Sequence, residues 1–133
     1  MKLKVYLAGG MKSGWQDKVR RKIYAANSEK FDRFEFFNPS THGLTDSKEY
    51  TTWDLFHVQH CDIVFAYMEE ANLSGYGLAL EIGFAKALGK TIILVEEKSK
   101  TDESFARKFA IVRESATVVF EELDKGIDFL KRF

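Results

Sequence analysis

One acidic residue stands alone in an apolar stretch in the second half of the chain. From Gly77 to Ala85 the sequence reads Gly-Leu-Ala-Leu-Glu-Ile-Gly-Phe-Ala, and Glu81 is its only polar side chain. A helix that is apolar on every side is typically buried, and burial without a partner raises the pKa of a carboxyl group. Because buried carboxylates are rare unless they are paired or functional, Glu81 is our first candidate for a reactive group. The alternative is a structural glutamate held by backbone amides or by a tyrosine.

Two other side chains are predicted to approach Glu81. Asp54 shares one helical face with four other residues: Tyr50, Trp53, His57 and Cys61. This placement turns Asp54 towards the protein. An aspartate that is partly exposed and paired with a lysine or arginine is the alternative, and spacing alone favours it. Tyr6 lies near the end of the first predicted strand, where its hydroxyl can donate a hydrogen bond to Glu81.

The turn after that strand, Gly9-Gly10-Met11-Lys12-Ser13-Gly14, has the composition of an anion-binding loop. Its backbone amides, the start of the next helix and the Lys12 charge could together hold a phosphate group. The established nucleotide fingerprints are absent, since Trp15-Gln16 replaces the Lys-Ser/Thr pair of a P-loop and Met11 interrupts the dinucleotide pattern. ATP hydrolysis and Rossmann-type NAD binding are therefore disfavoured, while a monophosphate site and a simple tight turn both stay open.

The histidines and the single cysteine give weaker signals. His57 and His60 lie three positions apart on a predicted helix, but no second cluster with metal-ligand spacing accompanies them, so we predict no metal and no cofactor. Cys61, at a junction between helix and strand, is predicted to be a buried structural thiol and not a nucleophile. His42 lies in the loop over residues 38–43 and is either a ligand contact or a solvated loop residue.

Short apolar strands alternate with helices along the whole chain. Strands are predicted over residues 2–8, 33–37, 62–68, 91–95 and 117–120, and helices over 15–29, from about 48, and over 77–88, 105–113 and 123–133. This alternation predicts an α/β fold, a doubly wound five-stranded parallel sheet of flavodoxin/Rossmann-like order 2-1-3-4-5. Ligands of such sheets bind at the carboxyl ends of the strands, so the site should gather residues 9–14, 38–43, 69–77 and the segment after Val95.

Length and charge limit the class of protein. The chain has 133 residues, with 20 basic and 20 acidic side chains, which predicts one domain over residues 1–133 and no nucleic-acid partner. A single cysteine favours a reducing, cytoplasmic setting. The apolar run at the N-terminus is too short for a signal peptide, and no run approaches the ~18 residues that a membrane span needs, so we predict no membrane partner.

Three segments together resemble the nucleoside 2-deoxyribosyltransferase superfamily, which includes the 2′-deoxynucleoside 5′-monophosphate N-hydrolases. They are the strand Val5-Tyr6-Leu7-Ala8-Gly9, the spacing from Asp54 to Asp62, and the stretch Ser74-Gly75-Tyr76-Gly77-Leu78-Ala79-Leu80-Glu81-Ile82-Gly83-Phe84-Ala85. The resemblance covers about residues 3–133. Its most specific element is the glutamate in the Gly-Leu-x-x-Glu-x-Gly-x-Ala helix.

The resemblance implies that Glu81 is a nucleophile, which attacks the anomeric carbon of a 2-deoxyribosyl group and forms a covalent glycosyl ester. A second base or water then releases the sugar with overall retention. Asp54 matches the aspartate that handles the proton of the leaving base, and Tyr6 matches the tyrosine that orients the nucleophile. The predicted substrate-binding residues are Gly9, Gly10, Met11, Lys12, His42, Ser74, Gly75, Gly77 and Ser115.

Two departures from the pattern bear on the substrate. The transferases typically carry an acidic residue six positions before the nucleophile, where this chain has Gly75, which weakens the case for base exchange. Lys12 falls where the monophosphate hydrolases place an arginine, and Ser74 lies near one of their phosphate-contacting serines. These matches favour a small-molecule nucleotide substrate. Members also complete each site from a neighbouring subunit, in the region of Arg113 and Ser115, which implies a homodimer or larger homo-oligomer.

Two further functions stay open at this point. Other small α/β proteins use one glutamate at a ribose, so the chain could hydrolyse NAD or a ribonucleoside. It could also be a nucleotide-binding module without turnover, because a fold alone does not establish catalysis.

Overall fold

Five parallel strands form the centre of the protein in a computed structural model that describes all residues from 1 to 133. They are β1 (Leu3–Gly9), β2 (Phe34–Phe37), β3 (Ile63–Met68), β4 (Thr91–Glu96) and β5 (Val118–Phe120). Their order in the sheet is β2-β1-β3-β4-β5, and every neighbouring pair is parallel. The predicted fold class and strand order are therefore confirmed.

Helices cover both faces of this sheet. They are α1 (Trp15–Ala26), the single-turn α2 (Ser28–Phe31), α3 (Ser47–His60), α4 (Tyr76–Ala87), α5 (Glu103–Ser115) and α6 (Leu123–Leu130). Helices α1 and α6 pack on one face, and α3, α4 and α5 pack side by side on the other. None of the helices has the length and apolar character that a membrane crossing requires.

The alternation of side chains along β1 determines which face of the sheet Tyr6 points to. Val5 and Leu7 belong to the core beneath α1 and α6, whereas Tyr6 and Ala8 belong to the core beneath α3, α4 and α5. Successive side chains of a strand point to opposite faces, so Tyr6 is directed at the helices that carry Asp54 and Glu81.

Two sequence-based expectations need correction. The helix that carries Glu81 was predicted to be buried on all sides, but Tyr76 is 82% exposed and Leu80 is 58% exposed, while Leu78 and Ile82 are buried. An all-apolar pattern carries no polar stripe to mark the outer face, so the pattern could not reveal that one face of α4 is uncovered in a single chain. The helix predicted over residues 15–29 is also divided, because Asn27 leaves the helical conformation and its side chain caps α2.

Candidate active site

Three side chains from three elements converge between the sheet and its α3–α4 layer. Tyr6 comes from β1, Asp54 from the middle of α3 and Glu81 from the second turn of α4. Tyr6 is fully buried, and Asp54 and Glu81 are half-buried. The Tyr6 hydroxyl lies close enough to both carboxyl groups to affect their pKa values, although neither contact has the geometry of an ordinary hydrogen bond. The structure thus brings together the three residues that the sequence proposed as catalytic.

Unpartnered polar atoms are concentrated at this place. Six buried side-chain nitrogen or oxygen atoms in the chain have no hydrogen-bond partner. Four of the six belong to the convergence: Tyr6 Oη, His42 Nε2, Asp54 Oδ1 and Glu81 Oε2. Buried polar atoms in proteins are nearly always paired, so a group of unpaired ones makes this convergence the candidate position for a ligand.

The protonation of the site follows from its burial. Burial raises the pKa of Glu81 to about 7, a rise that the Asp54 carboxyl adds to and the Tyr6 hydroxyl opposes. Burial also raises the pKa of Asp54, against the lowering effects of His42 and Tyr6. The pKa of Tyr6 is raised, first by burial and then by Glu81, so its hydroxyl keeps its proton and acts as a donor. Two neighbouring carboxyl groups whose pKa values are both raised can share one proton.

A second buried glutamate shows what a structural carboxylate looks like in this fold. Glu96 ends β4 with 1% of its surface exposed. It accepts hydrogen bonds from the backbone amide (2.7 Å) and the hydroxyl of Ser99, and the Arg113 guanidinium Nε lies 3.6 Å away. Glu81 has no cation and no backbone donor, and Tyr6 is its only neighbouring donor, so its surroundings differ from those of the paired Glu96.

His42 and Asp54 meet at the wall of a cavity. His42 Nε2 lies 3.4 Å from Asp54 Oδ1, and both side chains are largely buried. The cavity measures about 340 Å³. Its lining consists of Met11, Pro39, Ser40, His42, Gly43, Leu44, Tyr50 and Asp54. Of the three convergent residues only Asp54 lines it, which makes Asp54 the first acidic group that a ligand entering here would meet.

A second cavity of about 610 Å³ adjoins the first, and Met11 lines both. The loop after β1 supplies Lys12, and the loop after β3 supplies Glu69. The Gly10 carbonyl accepts hydrogen bonds from Trp15 Nε1 (2.9 Å) and Gln16 Nε2 (3.0 Å). Because the amide of a trans peptide points opposite to its carbonyl, the Met11 amide is turned away from these donors. The loop can therefore offer an amide and a cation to an anionic group.

Close contacts explain two glycines of the site. Gly75 caps α4 at φ +71°, and a Cβ there would lie 2.9 Å from Met68 Sδ. An acidic side chain, as the transferases typically carry, would be strained at this position. At Gly9 a Cβ would lie 2.6 Å from the Tyr67 carbonyl oxygen, so the end of β1 can pass close to β3 only as glycine.

Other predicted residues have mixed placements. Ser74 and Gly77 are exposed on either side of the start of α4, and neither lines the two cavities. Ser115 ends α5, and its hydroxyl donates to the Ile111 carbonyl (2.8 Å). Helices of this fold run opposite to the strands, so Ser115 lies at the sheet edge opposite the site and does not join it within one chain.

The two histidines of α3 and Cys61, which directly follows that helix, make contacts within the fold. His57 stacks on Phe37 and packs at a tilt against Trp53, and His60 Nδ1 lies 2.8 Å from the Phe56 carbonyl oxygen. Burial raises the pKa of the Cys61 thiol to about 11, which is unsuited to a thiolate nucleophile. No group of three or more His, Cys, Asp or Glu side chains is placed to hold a metal ion.

Sequence reasoning placed the segment 69–77 at the site without singling out Glu69, and it did not foresee the pairing of His42 with Asp54. Glu69 lines the larger cavity, and its Oε2 would lie 3.2 Å from a Cβ at Gly10. Its place directly after β3 is the available signal, since side chains at the carboxyl ends of parallel strands face the ligand crevice. The pairing of His42 with Asp54 had no such signal, because it depends on how the loop after β2 folds back onto α3.

Comparison with known proteins supplies the family. The family model described as "Nucleoside 2-deoxyribosyltransferase like" matches residues 2–99. No curated protein sequence matches the chain.

Solved structures share the fold. The 2-desoxiribosyltransferase from Leishmania mexicana is 15% identical with a TM-score of 0.69, over 98% of this chain and 97% of that one. The CMP N-glycosidase from Clostridium botulinum is 20% identical with a TM-score of 0.60, over 98% and 99%. A conserved protein from Enterococcus faecalis V583 is 16% identical with a TM-score of 0.58, over 97% and 88%. With a family model matching most of its length, the chain belongs to the nucleoside 2-deoxyribosyltransferase-like family.

Proposed function

We propose that this protein cleaves the N-glycosidic bond of a 2′-deoxynucleoside or its 5′-monophosphate through a covalent intermediate on Glu81. One observation carries the proposal: the unpartnered, buried oxygens of Glu81, Asp54 and Tyr6 meet beside a cavity at the ligand-binding edge of the sheet. Membership of the family and the names of two similar structures, a deoxyribosyltransferase and an N-glycosidase, support the same reaction class.

In the first step the Glu81 carboxylate attacks the anomeric carbon as the bond to the base breaks. The electron pair of that bond leaves with the base, and the Asp54 carboxyl group gives its proton to the base nitrogen. The step needs Glu81 ionised and Asp54 protonated. The Tyr6 hydroxyl helps to ionise Glu81 because it lowers the pKa of that carboxyl group, and burial keeps the pKa of Asp54 raised against the lowering effects of His42 and Tyr6.

In the second step water or another nucleobase attacks the anomeric carbon from the face that the base left. The bond to Glu81 breaks and the electron pair returns to its carboxylate, while Asp54 takes the proton of the incoming group. Two displacements at one carbon give overall retention of configuration. Water as acceptor makes the enzyme a hydrolase, and a base as acceptor makes it a transferase.

The two adjoining cavities support a nucleotide-sized substrate. The cavity at Asp54 would take the sugar and base, and the cavity at Lys12 would take the 5′ end, with Met11 between them. Lys12 and the outward amide of Met11 favour a 5′-phosphate. The negative charge of Glu69 in the same cavity would repel a 5′-phosphate. Nucleosides with a free 5′-hydroxyl are therefore assayed beside the monophosphates.

We also propose a homo-oligomer that forms over the uncovered face of α4. Tyr76 and Leu80 are exposed there, and Ile111 of the adjacent α5 is 77% exposed. Apolar patches of this kind are typical of subunit interfaces. Leu80 directly precedes Glu81, so a partner on this face would lie beside the site.

In this proposal residues 1–133 form one catalytic domain, and the reaction uses no cofactor. Its free, buried Cys61 is compatible with the reducing cytoplasm.

A chromatographic assay for released base tests the reaction. The purified protein is incubated with deoxynucleosides, their 5′-monophosphates, CMP and NAD, each with and without an acceptor base. We expect free base from a deoxynucleoside or a deoxynucleoside monophosphate, and a fall of about a thousandfold or more in Glu81→Gln. Release from CMP or NAD alone would move the substrate to ribosides.

The matched control is Glu114→Gln, which changes an exposed glutamate of α5 and should keep full activity. Absence of base release from every donor would support a binding module and contradict the proposed enzyme. Near-normal activity of Glu81→Gln would contradict its role as nucleophile.

A further inference from the structure

His42 reaches Asp54 from a rigid position in the loop after β2. The side chain of Asn38 starts this loop by accepting from the Ser40 amide (3.0 Å) and hydroxyl (2.6 Å). The His42 ring packs edge-on against Trp53, with the ring centroids 4.9 Å apart. Only 11% of the His42 side chain and 18% of the Asp54 side chain are exposed. Fixed neighbours on both sides leave the imidazole little freedom to turn.

One hydrogen bond fixes the tautomer of this ring. The Leu44 backbone amide donates to His42 Nδ1 at 2.9 Å, so Nδ1 acts as an acceptor. The hydrogen of the neutral imidazole is therefore on Nε2. That nitrogen lies 3.4 Å from Asp54 Oδ1, and neither atom has another partner. A pre-oriented donor thus faces a carboxyl oxygen that is otherwise unsatisfied.

We infer that His42 is a positioning residue, which stabilises the carboxylate that Asp54 becomes when it passes its proton to the leaving base. The inference rests on the proposed function. A donor aimed at an atom where charge develops stabilises the transition state more than the ground state. The contact at 3.4 Å is long in the resting protein and shortens as negative charge appears on Asp54.

This role differs from a substrate contact in what it changes. Loss of a contact to the sugar or base would raise KM, whereas loss of a donor to Asp54 lowers kcat and moves the titration of Asp54. The charged or titratable groups that face Asp54 are His42 from the loop, Tyr6 from β1 and Glu81 from α4. Of these, Tyr6 also contacts Glu81, so His42 is the group whose removal acts on Asp54 selectively.

The test compares His42→Ala with His42→Gln in the full chain. The glutamine side chain can place its Nε2 donor towards Asp54, and alanine cannot. We expect kcat to fall about tenfold in His42→Ala with little change in KM, and to recover most of that loss in His42→Gln. The inflection of the kcat/KM pH profile that reports the ionisation of Asp54 should move to higher pH by about one unit in His42→Ala. In His42→Gln it should stay where it is in the wild type.

A second readout does not need turnover. Carbon-13 NMR of the Asp54 carboxyl carbon follows its titration directly, and its midpoint should rise in His42→Ala but not in His42→Gln. His60→Ala, which removes an exposed histidine from α3, should change neither readout.

Equal loss in both His42 variants, a rise in KM alone, or an unmoved Asp54 midpoint would overturn the inference while the proposed reaction stands. If the wild type releases no base from any donor, the proposed function fails instead, and the NMR midpoint still decides whether His42 acts on Asp54.

Discussion

Replacing Glu81 with glutamine should remove a loss of stability that the folded wild type undergoes as pH rises through neutrality. The carboxyl group of Glu81 has a pKa of about 7 in the folded chain, because burial disfavours its charge, against an ordinary value of 4.5. Between these two values the unfolded chain has lost the proton and the folded chain still holds it. Folded wild-type protein therefore becomes less stable as pH rises through this window, and Glu81→Gln does not.

The size of the effect follows from the two pKa values. Each pH unit between them corresponds to about 1.4 kcal/mol, so the wild type loses about 3 kcal/mol from this group between about pH 4 and pH 8. For a chain of 133 residues this corresponds to about 10 °C in Tm. This loss of unfolding free energy is the part of the difference between the two proteins that changes with pH. Any constant difference between the two side chains, such as the fit of the amide, adds the same amount at every pH.

Thermal and urea unfolding across that pH range measures the difference. We expect the curves of wild type and Glu81→Gln to diverge steadily as pH rises to about 7 and to run parallel above about pH 8. Glu114→Gln, an exposed carboxyl on α5, should follow the wild type throughout. Parallel curves for wild type and Glu81→Gln at all pH values would refute the reasoning, since they would mean that the Glu81 carboxyl group ionises as freely in the folded chain as in water.

Three further substitutions test other parts of the site. Tyr6→Phe removes the donor that lowers the pKa of Glu81. The acid limb of the kcat/KM pH profile should therefore move to higher pH, and activity at pH 7 should fall about tenfold. An acid limb at the same pH as in the wild type would contradict this. Lys12→Ala should reduce kcat/KM about tenfold for monophosphates and less than about twofold for nucleosides, and equal effects would dismiss a phosphate subsite. Leu80→Glu places a charge on the exposed face of α4 and should shift the assembly to monomers in sedimentation, whereas a wild type that is monomeric at micromolar concentration would contradict the proposed oligomer.

The sheet was predictable because its signal is local. Buried strands such as β3 are short, continuous apolar runs, and right-handed crossovers leave few possible strand orders. The raised pKa of the Glu81 carboxyl group was predictable for the same reason, because it is a lone carboxylate in an apolar helix. The exposed face of α4 was not, because a helix that is apolar on both sides contains no mark of which side faces solvent in one chain.

The contacts that tune the site depend on distant parts of the chain. His42 meets Asp54 only through the fold of the loop after β2, and Gly75 meets Met68 only because the start of α4 packs against the end of β3. Pairings of this kind are absent from sequence spacing, which reports neighbours along one helix or strand. The sequence therefore predicted which acidic side chains lie together better than it predicted the contacts that surround them.

Mass spectrometry of the acid-quenched enzyme tests the central claim most directly. A 2′-deoxy-2′-fluoro donor slows the second displacement, so that the glycosyl ester accumulates if it forms. Our account predicts one sugar bound per chain, located on the peptide that carries Glu81 and lost in Glu81→Gln. Turnover of the donor without an adduct on that peptide, or an adduct on another residue, would contradict it.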